Sequence, residues 1–137
     1  MRILGLDVGS KTIGVAVSDA LKMTAQGITT LEWTENDMST ADEALKKIIN
    51  EYEVSEIVLG LPKHMDGSIG DRAKLTEIYA NRLQRTFNLP IHFIDERLTT
   101  VAAERTLIEG NMSRQKRKQV IDKMAAVMIL QTYLDKI

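Results

Sequence analysis

The chain has 137 residues, 44% of them apolar, and its 18 basic and 19 acidic side chains leave a formal net charge of −1. That length and apolar content suit one compact domain over residues 1–137, and near neutrality excludes a uniformly basic nucleic-acid binder. With no cysteine and only two histidines, disulfide frameworks, thiolate metal sites and a cysteine nucleophile are excluded, which leaves a hard cation, Mg²⁺ or Mn²⁺, as the expected metal.

Residues 2–7 (RILGLD) form a nearly continuous apolar run, as expected of a central strand covered on both faces, yet the run ends on Asp7. A buried carboxylate is costly unless something pairs with it. Residues 11–18 alternate, with Ile13, Val15 and Val17 on one face, and Val8, Gly9 and Ser10 supply a turn, so a hairpin is predicted. Residues 27–33 (GITTLEW) are β-branched and aromatic and predict a third antiparallel strand. Thr40 and Glu43 stand in capping-box spacing ahead of Ala44, Leu45, Ile48, Ile49 and Tyr52, the pattern of an amphipathic helix. A short strand over 56–61 ends at Pro62, and a loop over 63–70 carries His64 and an Asp66-Gly67 turn signal. Leu75, Ile78, Tyr79, Leu83 and Phe87 predict a helix over 68–87, and residues 91–94 (IHFI) a fifth strand closed by Asp95 and Glu96. Thr99 or Thr100 can cap a short helix running to about Glu109, stopped by Gly110. Residues 114–118 read as a mobile basic stretch, and a largely buried helix is expected over 118–135. No apolar run of about 18 residues and no secretory-signal pattern occurs, so a soluble, intracellular protein with no membrane partner is expected.

This order implies an α/β fold, a mixed five-stranded sheet of three antiparallel and then two parallel strands with helices on both faces. The first, fourth and fifth strands would open their C-terminal ends on one edge, the usual place for an α/β site. Asp7, Asp95 and Glu96 would emerge there, and Asp122 shares a helix face with Ala125, Ala126 and Ile129, small enough to let that helix approach. Taken singly, Asp7 could be a turn acid, Glu96 a partner of Arg97 and Asp122 a stabiliser of its helix start; together they suggest a cation site. Clustered carboxylates holding one or two Mg²⁺ or Mn²⁺ ions would suit phosphodiester hydrolysis by water. Gly9 would allow close approach of a phosphate, with Lys11, Arg97, Arg114, Lys116, Arg117 and Lys118 as phosphate contacts. Charge is uneven along the chain: residues 32–56 carry eight acids against two lysines, whereas residues 110–123 carry five bases against Asp122.

"GLDVGSKTIGVAVSD", "GLPKHMDGS", "DERLTT" and "IDKMAAVMILQTYL" resemble, in order and spacing, the YqgF family of bacterial proteins over nearly the whole chain. The resemblance implies a ribonuclease-H-like fold related to Holliday junction resolvases. It also implies a cytoplasmic, metal-dependent endonuclease acting on precursor ribosomal RNA, at the 5′ end of pre-16S rRNA, or on branched DNA. Ribosomal particles are implied as a further partner, and a monomer or a homodimer as the working unit. The family's acidic site falls on Asp7, Glu96 and Asp122. The strand "EIVLGLP" lacks the second acid of wider ribonuclease-H relatives, so the choice between Asp95 and Glu96, and the number of metals, stays open. The first motif also resembles the phosphate loop of sugar kinases and actin-like ATPases, which bind nucleotide between two domains where this chain has room for one. A non-catalytic RNA-binding or ribosome-assembly factor is the remaining alternative.

Overall fold

A computed structural model describes the backbone of residues 1–63, 66–98 and 114–137, and the side chains of these except 98 and 114–122. His64 and the short helix expected to end at Gly110 lie outside the described residues. The elements are β1 (Arg2–Val8), β2 (Thr12–Ser18), β3 (Ala25–Glu32), α1 (Asp42–Glu51), β4 (Val54–Leu61), α2 (Asp71–Phe87), β5 (Ile91–Asp95) and α3 (Arg114–Leu134), with 3-10 turns at Met38–Ala41 and Glu96–Leu98. Five strands form one sheet in the order β3-β2-β1-β4-β5. β1–β2 and β2–β3 are antiparallel, β1–β4 and β4–β5 parallel, so the expected mixed sheet is present and the ends of β1, β4 and β5 share an edge.

Strand alternation divides the interior in two. Leu4, Leu6 and Val8 of β1 pack with Ile57 and Leu59 of β4 under α1 and α2, through Leu45, Ile48, Tyr79 and Leu83. Ile3, Ala16, Val58 and Ile94 pack on the opposite face under α3, through Ala125, Ala126, Ile129 and Leu130. Glycines let α3 sit close. A methyl group at Gly5 would lie 2.6 Å from Leu130 Cβ and 3.2 Å from the Ala126 carbonyl oxygen, and one at Gly27 would lie 2.8 Å from Lys123 Cε.

Several boundaries differ from the sequence expectation for identifiable reasons. β3 begins at Ala25 because the Gln131 side chain of α3 accepts from Ala25 N at 3.0 Å and donates to the Met23 carbonyl at 3.0 Å. The expected Thr40–Glu43 capping box does not form. Asp37 instead caps the 3-10 turn, accepting from Ser39 N at 3.1 Å, while Thr40 Oγ1 accepts from Thr34 N at 3.0 Å and donates to the Asp37 carbonyl at 3.0 Å. α2 begins at Asp71 and ends on Asn88, whose left-handed φ of 55° places its N–H 2.8 Å from the Gln84 carbonyl. The basic stretch expected to be mobile is the helical start of α3; Lys, Arg and Gln are good helix formers and no Gly or Pro interrupts them. Among the described residues no helix is long and apolar enough to cross a membrane.

Candidate active site

Asp7 is the penultimate residue of β1 and is only 5% exposed. It pairs with Gly14 of β2, and since Leu6 pairs with Leu59, continued register sets Gly60 of β4 beside it. The ladder with β4 runs to Leu6 while that with β2 continues through Asp7 and Val8, so the sheet brings Asp7 to its edge and the turn beyond Val8 completes its placement. Alternation from Ile3 through Gly5 puts Asp7 on the α3 face.

Gly60 pairs on its other side with Ile94 of β5. Past β5 the chain turns, and the Glu96 carboxylate comes back over Gly60: a methyl group there would lie 2.8 Å from Glu96 Oε1 and 2.4 Å from Ile129 Cδ1. The bare glycine is thus a cradle at the sheet edge, with Asp7 on the strand beside it and the Glu96 carboxylate above it. Two carboxylates are oxygen-only donors, the chemistry that suits a hard cation.

Asp95 has a different attachment. Its carboxylate accepts from Arg97 Nε at 3.0 Å, from Arg97 Nη2 at 2.6 Å and from Arg97 N at 3.0 Å. The Arg97 side chain holds the Asp95 carboxyl below its usual range. The same guanidinium faces the loop after β4, 3.5 Å from the methyl position of Gly67, whose φ is +89°. In that loop Asp66 accepts from Ser68 N at 2.9 Å and from Ser68 Oγ at 2.7 Å, a turn residue as expected.

Asp122 lies one turn before Ala126 on α3. Lys123 and Val127 lie over Gly27 while Gln131 reaches Ala25, so α3 runs antiparallel to β3 and therefore to β1. The Asp122 turn consequently lies toward the C-terminal end of β1, where Asp7 stands, and residues 114–118 lie further in that direction. The side chains of Asp122, Arg114, Lys116, Arg117 and Lys118 are outside the described set. Among the described residues no three metal-type donors converge.

The turn behind Asp7 is tied down by residues that sequence reading missed. Gly9 N donates to the Thr12 carbonyl at 2.8 Å, and a methyl group at Gly9 would lie 3.0 Å from that oxygen, so a larger residue would press on the turn. Trp33 Nε1 donates to the Gly9 carbonyl at 2.9 Å and Arg72 Nη2 to the Val8 carbonyl at 2.7 Å. Ser10 and Lys11 are exposed. Nothing in the spacing of Trp33 or Arg72 signals this role; the sole tryptophan beside a strand was the only hint.

Comparison with known proteins fits this architecture. A family model described as RuvX, Holliday junction resolvase, matches residues 1–136. A protein of Oceanobacillus iheyensis named "Putative pre-16S rRNA nuclease" is 62% identical over 99% of both chains, and one of the same name from Moorella thermoacetica is 53% identical over 100% of this chain and 96% of its own. In fold, the chain is similar to Thermus thermophilus RuvC in complex with a Holliday junction substrate (TM-score 0.58, 8% identity, 99% of this chain and 95% of that one). It is likewise similar to the fowlpox virus Holliday junction resolvase (TM-score 0.55, 14% identity, 99% of both chains). Both likenesses identify the sheet and its helices as the ribonuclease-H-like fold of resolvases. With the match running from the first residue to the penultimate one, the chain belongs to the RuvX family of Holliday junction resolvases, and it is a nuclease.

Proposed function

We propose that this nuclease is a divalent-metal-dependent endonuclease of the cytoplasm, a single domain that matures the 5′ end of precursor small-subunit ribosomal RNA, on or off the ribosomal particle. The names of its relatives at 53–62% identity support the substrate. The observation that carries the chemistry is the buried Asp7 beside the Gly60 cradle under Glu96.

In this reading Asp7, Glu96 and Asp122 hold Mg²⁺ or Mn²⁺, which when bound supplies Lewis-acid stabilisation of the charge developing at phosphorus. Asp7 contributes a carboxylate that β1, paired with β2 at Gly14, carries to the sheet edge. Glu96 contributes one that the chain reversal after β5 folds over the sheet edge. Lys11 and the bases at 114, 116, 117 and 118 flank that edge and hold phosphates on either side of the scissile bond, while Asp95 fixes the guanidinium of Arg97 as a further phosphate contact. Cleavage leaves a 5′-phosphate and a 3′-hydroxyl. Asp95 serves Arg97 in this scheme, and Glu96 is the second ligand.

The family description supports a second reading, resolution of four-way DNA junctions. Symmetric cleavage of a junction requires two sites, so a stable two-fold dimer in solution would favour it and a monomer would favour the RNA. The test compares wild type, Asp7→Asn, Glu96→Gln, Asp122→Asn and Asp95→Asn on precursor rRNA and on four-way junctions, with Mg²⁺, with Mn²⁺ and with chelator. The first three variants should lose about a hundredfold or more in rate, and Asp95→Asn should retain most activity. Undiminished cleavage by Asp7→Asn would overturn the mechanism.

A further inference from the structure

We infer that Arg72 and Trp33 are positioning residues for cleavage: together they grip the turn behind Asp7 by its two successive carbonyl groups. The inference rests on the reading of Asp7 as part of the reacting centre.

The Val8 and Gly9 carbonyls follow Asp7 directly in the chain, and each is taken by a side chain from elsewhere in the fold, Arg72 at 2.7 Å and Trp33 at 2.9 Å. Neither anchor is loose. Arg72, in the first turn of α2, uses Nη1 to pair with Glu35 while Nη2 holds Val8, so its guanidinium spans two partners in one plane. Trp33 is 6% exposed and rests against Tyr79, itself fully buried, with ring centroids 4.7 Å apart.

Trp33 and Tyr79 belong to the core under α1 and α2, the sheet face opposite the one that Asp7 and Glu96 share. The grip therefore draws two electronegative oxygens away from the α3 side and sets a guanidinium against one of them. A polyanion nearing Asp7 then meets the exposed Ser10 and Lys11 rather than carbonyl dipoles. Because the turn continues β1 without a break, releasing it frees the end of the strand that carries Asp7. Displacements of about 1 Å at a reacting group cost up to about a hundredfold in rate.

Arg72→Lys, Trp33→Phe and Glu35→Gln separate positioning from simple stabilisation, with wild type and Asp7→Asn assayed on whichever nucleic acid the wild type cuts. A lysine can keep the pair with Glu35 but cannot also reach Val8. Glu35→Gln removes the ion pair and leaves the bond to Val8. Arg72→Lys and Trp33→Phe should lower kcat about tenfold or more with KM within about twofold, whereas Glu35→Gln should lose thermal stability and keep kcat. Trp33 is the only tryptophan, so its emission reports this turn alone, and it should shift in Arg72→Lys but not in Glu35→Gln. If Trp33→Phe fails to fold, the partly exposed Arg72 still carries the test. An unchanged kcat in Arg72→Lys, or equal losses in Arg72→Lys and Glu35→Gln at matched stability, overturns the inference. Retained cleavage by Asp7→Asn overturns the reading beneath it; an inactive Asp7→Asn beside a fully active Arg72→Lys overturns the positioning role alone.

Discussion

Two glycines under α3 are expected to answer differently to the same substitution. At Gly60 an added methyl meets the movable ends of side chains, Ile129 Cδ1 at 2.4 Å and Glu96 Oε1 at 2.8 Å. Gly60→Ala should therefore cost only about 1 kcal/mol of stability while displacing the Glu96 carboxylate, so its cleavage rate should fall far more than its unfolding midpoint. At Gly5 the methyl meets Leu130 Cβ at 2.6 Å and the Ala126 carbonyl at 3.2 Å, atoms fixed to the helix itself. Gly5→Ala should cost about 3 kcal/mol, with activity lost only in step with folding. Denaturant titration and single-turnover cleavage at a temperature where both variants are folded would check the contrast; equal loss of activity per unit of stability would refute it. Gly60 also separates the surroundings of Asp95 and Glu96, neighbours in sequence. Period-two alternation puts Asp95 on the face opposite Ile94, the strand ends there, and only the 3-10 turn that follows brings Glu96 back over Gly60.

The β2–β3 connection is a small polar knot whose strength depends on pH. Asp19 Oδ1 accepts from Met23 N at 2.8 Å and from Thr24 N at 3.2 Å, and these backbone donors, Met23 foremost, hold its carboxyl below the ordinary value of 3.8. The folded chain thus binds this proton more weakly than the unfolded one. The stabilisation is complete above the ordinary carboxyl range and is lost as pH falls through the lowered value. The stability gap between wild type and Asp19→Ala should be constant near neutrality and close as pH drops below about 4, as measured by denaturant midpoints across pH; a gap that widens with acid would refute it. Elements whose cause is local were legible in the sequence: the hairpin from its alternation, α2 from its apolar spacing, the strands from their β-branched runs. What escaped does not follow from the apolar spacing of the segment itself. Thr40 looks like a cap until Thr34 and Asp37 claim its hydroxyl, residues 114–118 look like a loose basic run until α3 extends through them, and Arg72 meets Val8 across 64 positions. That Asp7 and Glu96 lie at one sheet edge was legible only through topology, because parallel β1, β4 and β5 bring their ends to that edge.

Two stretches of opposite charge lead to opposite faces of the sheet. The acidic stretch 32–56 includes α1, which packs on one face of the sheet, and the basic residues 114–118 begin the helix that covers the other. Nucleic acid should accordingly be drawn to the α3 side. Replacing Lys116 and Arg117 with glutamine should weaken binding alike for RNA and DNA and flatten the log–log salt dependence by about one per charge removed. Replacing Lys46 and Lys47 of α1 should change neither, and anisotropy titrations over a salt series would show it. The glycine floor beneath α3 also governs when that helix can seat. Gly5, Gly27 and Gly60 belong to three strands, and the Gln131–Ala25 bond closes a span of 106 residues, so the seat for α3 exists only once the sheet is complete. Under the proposed assignment the final helix delivers the last acid. Refolding should restore Trp33 emission before it restores cleavage, and recovery of both together would refute the order. A nascent chain would then emerge unarmed, gaining the power to cut nucleic acid only as its last helix settles.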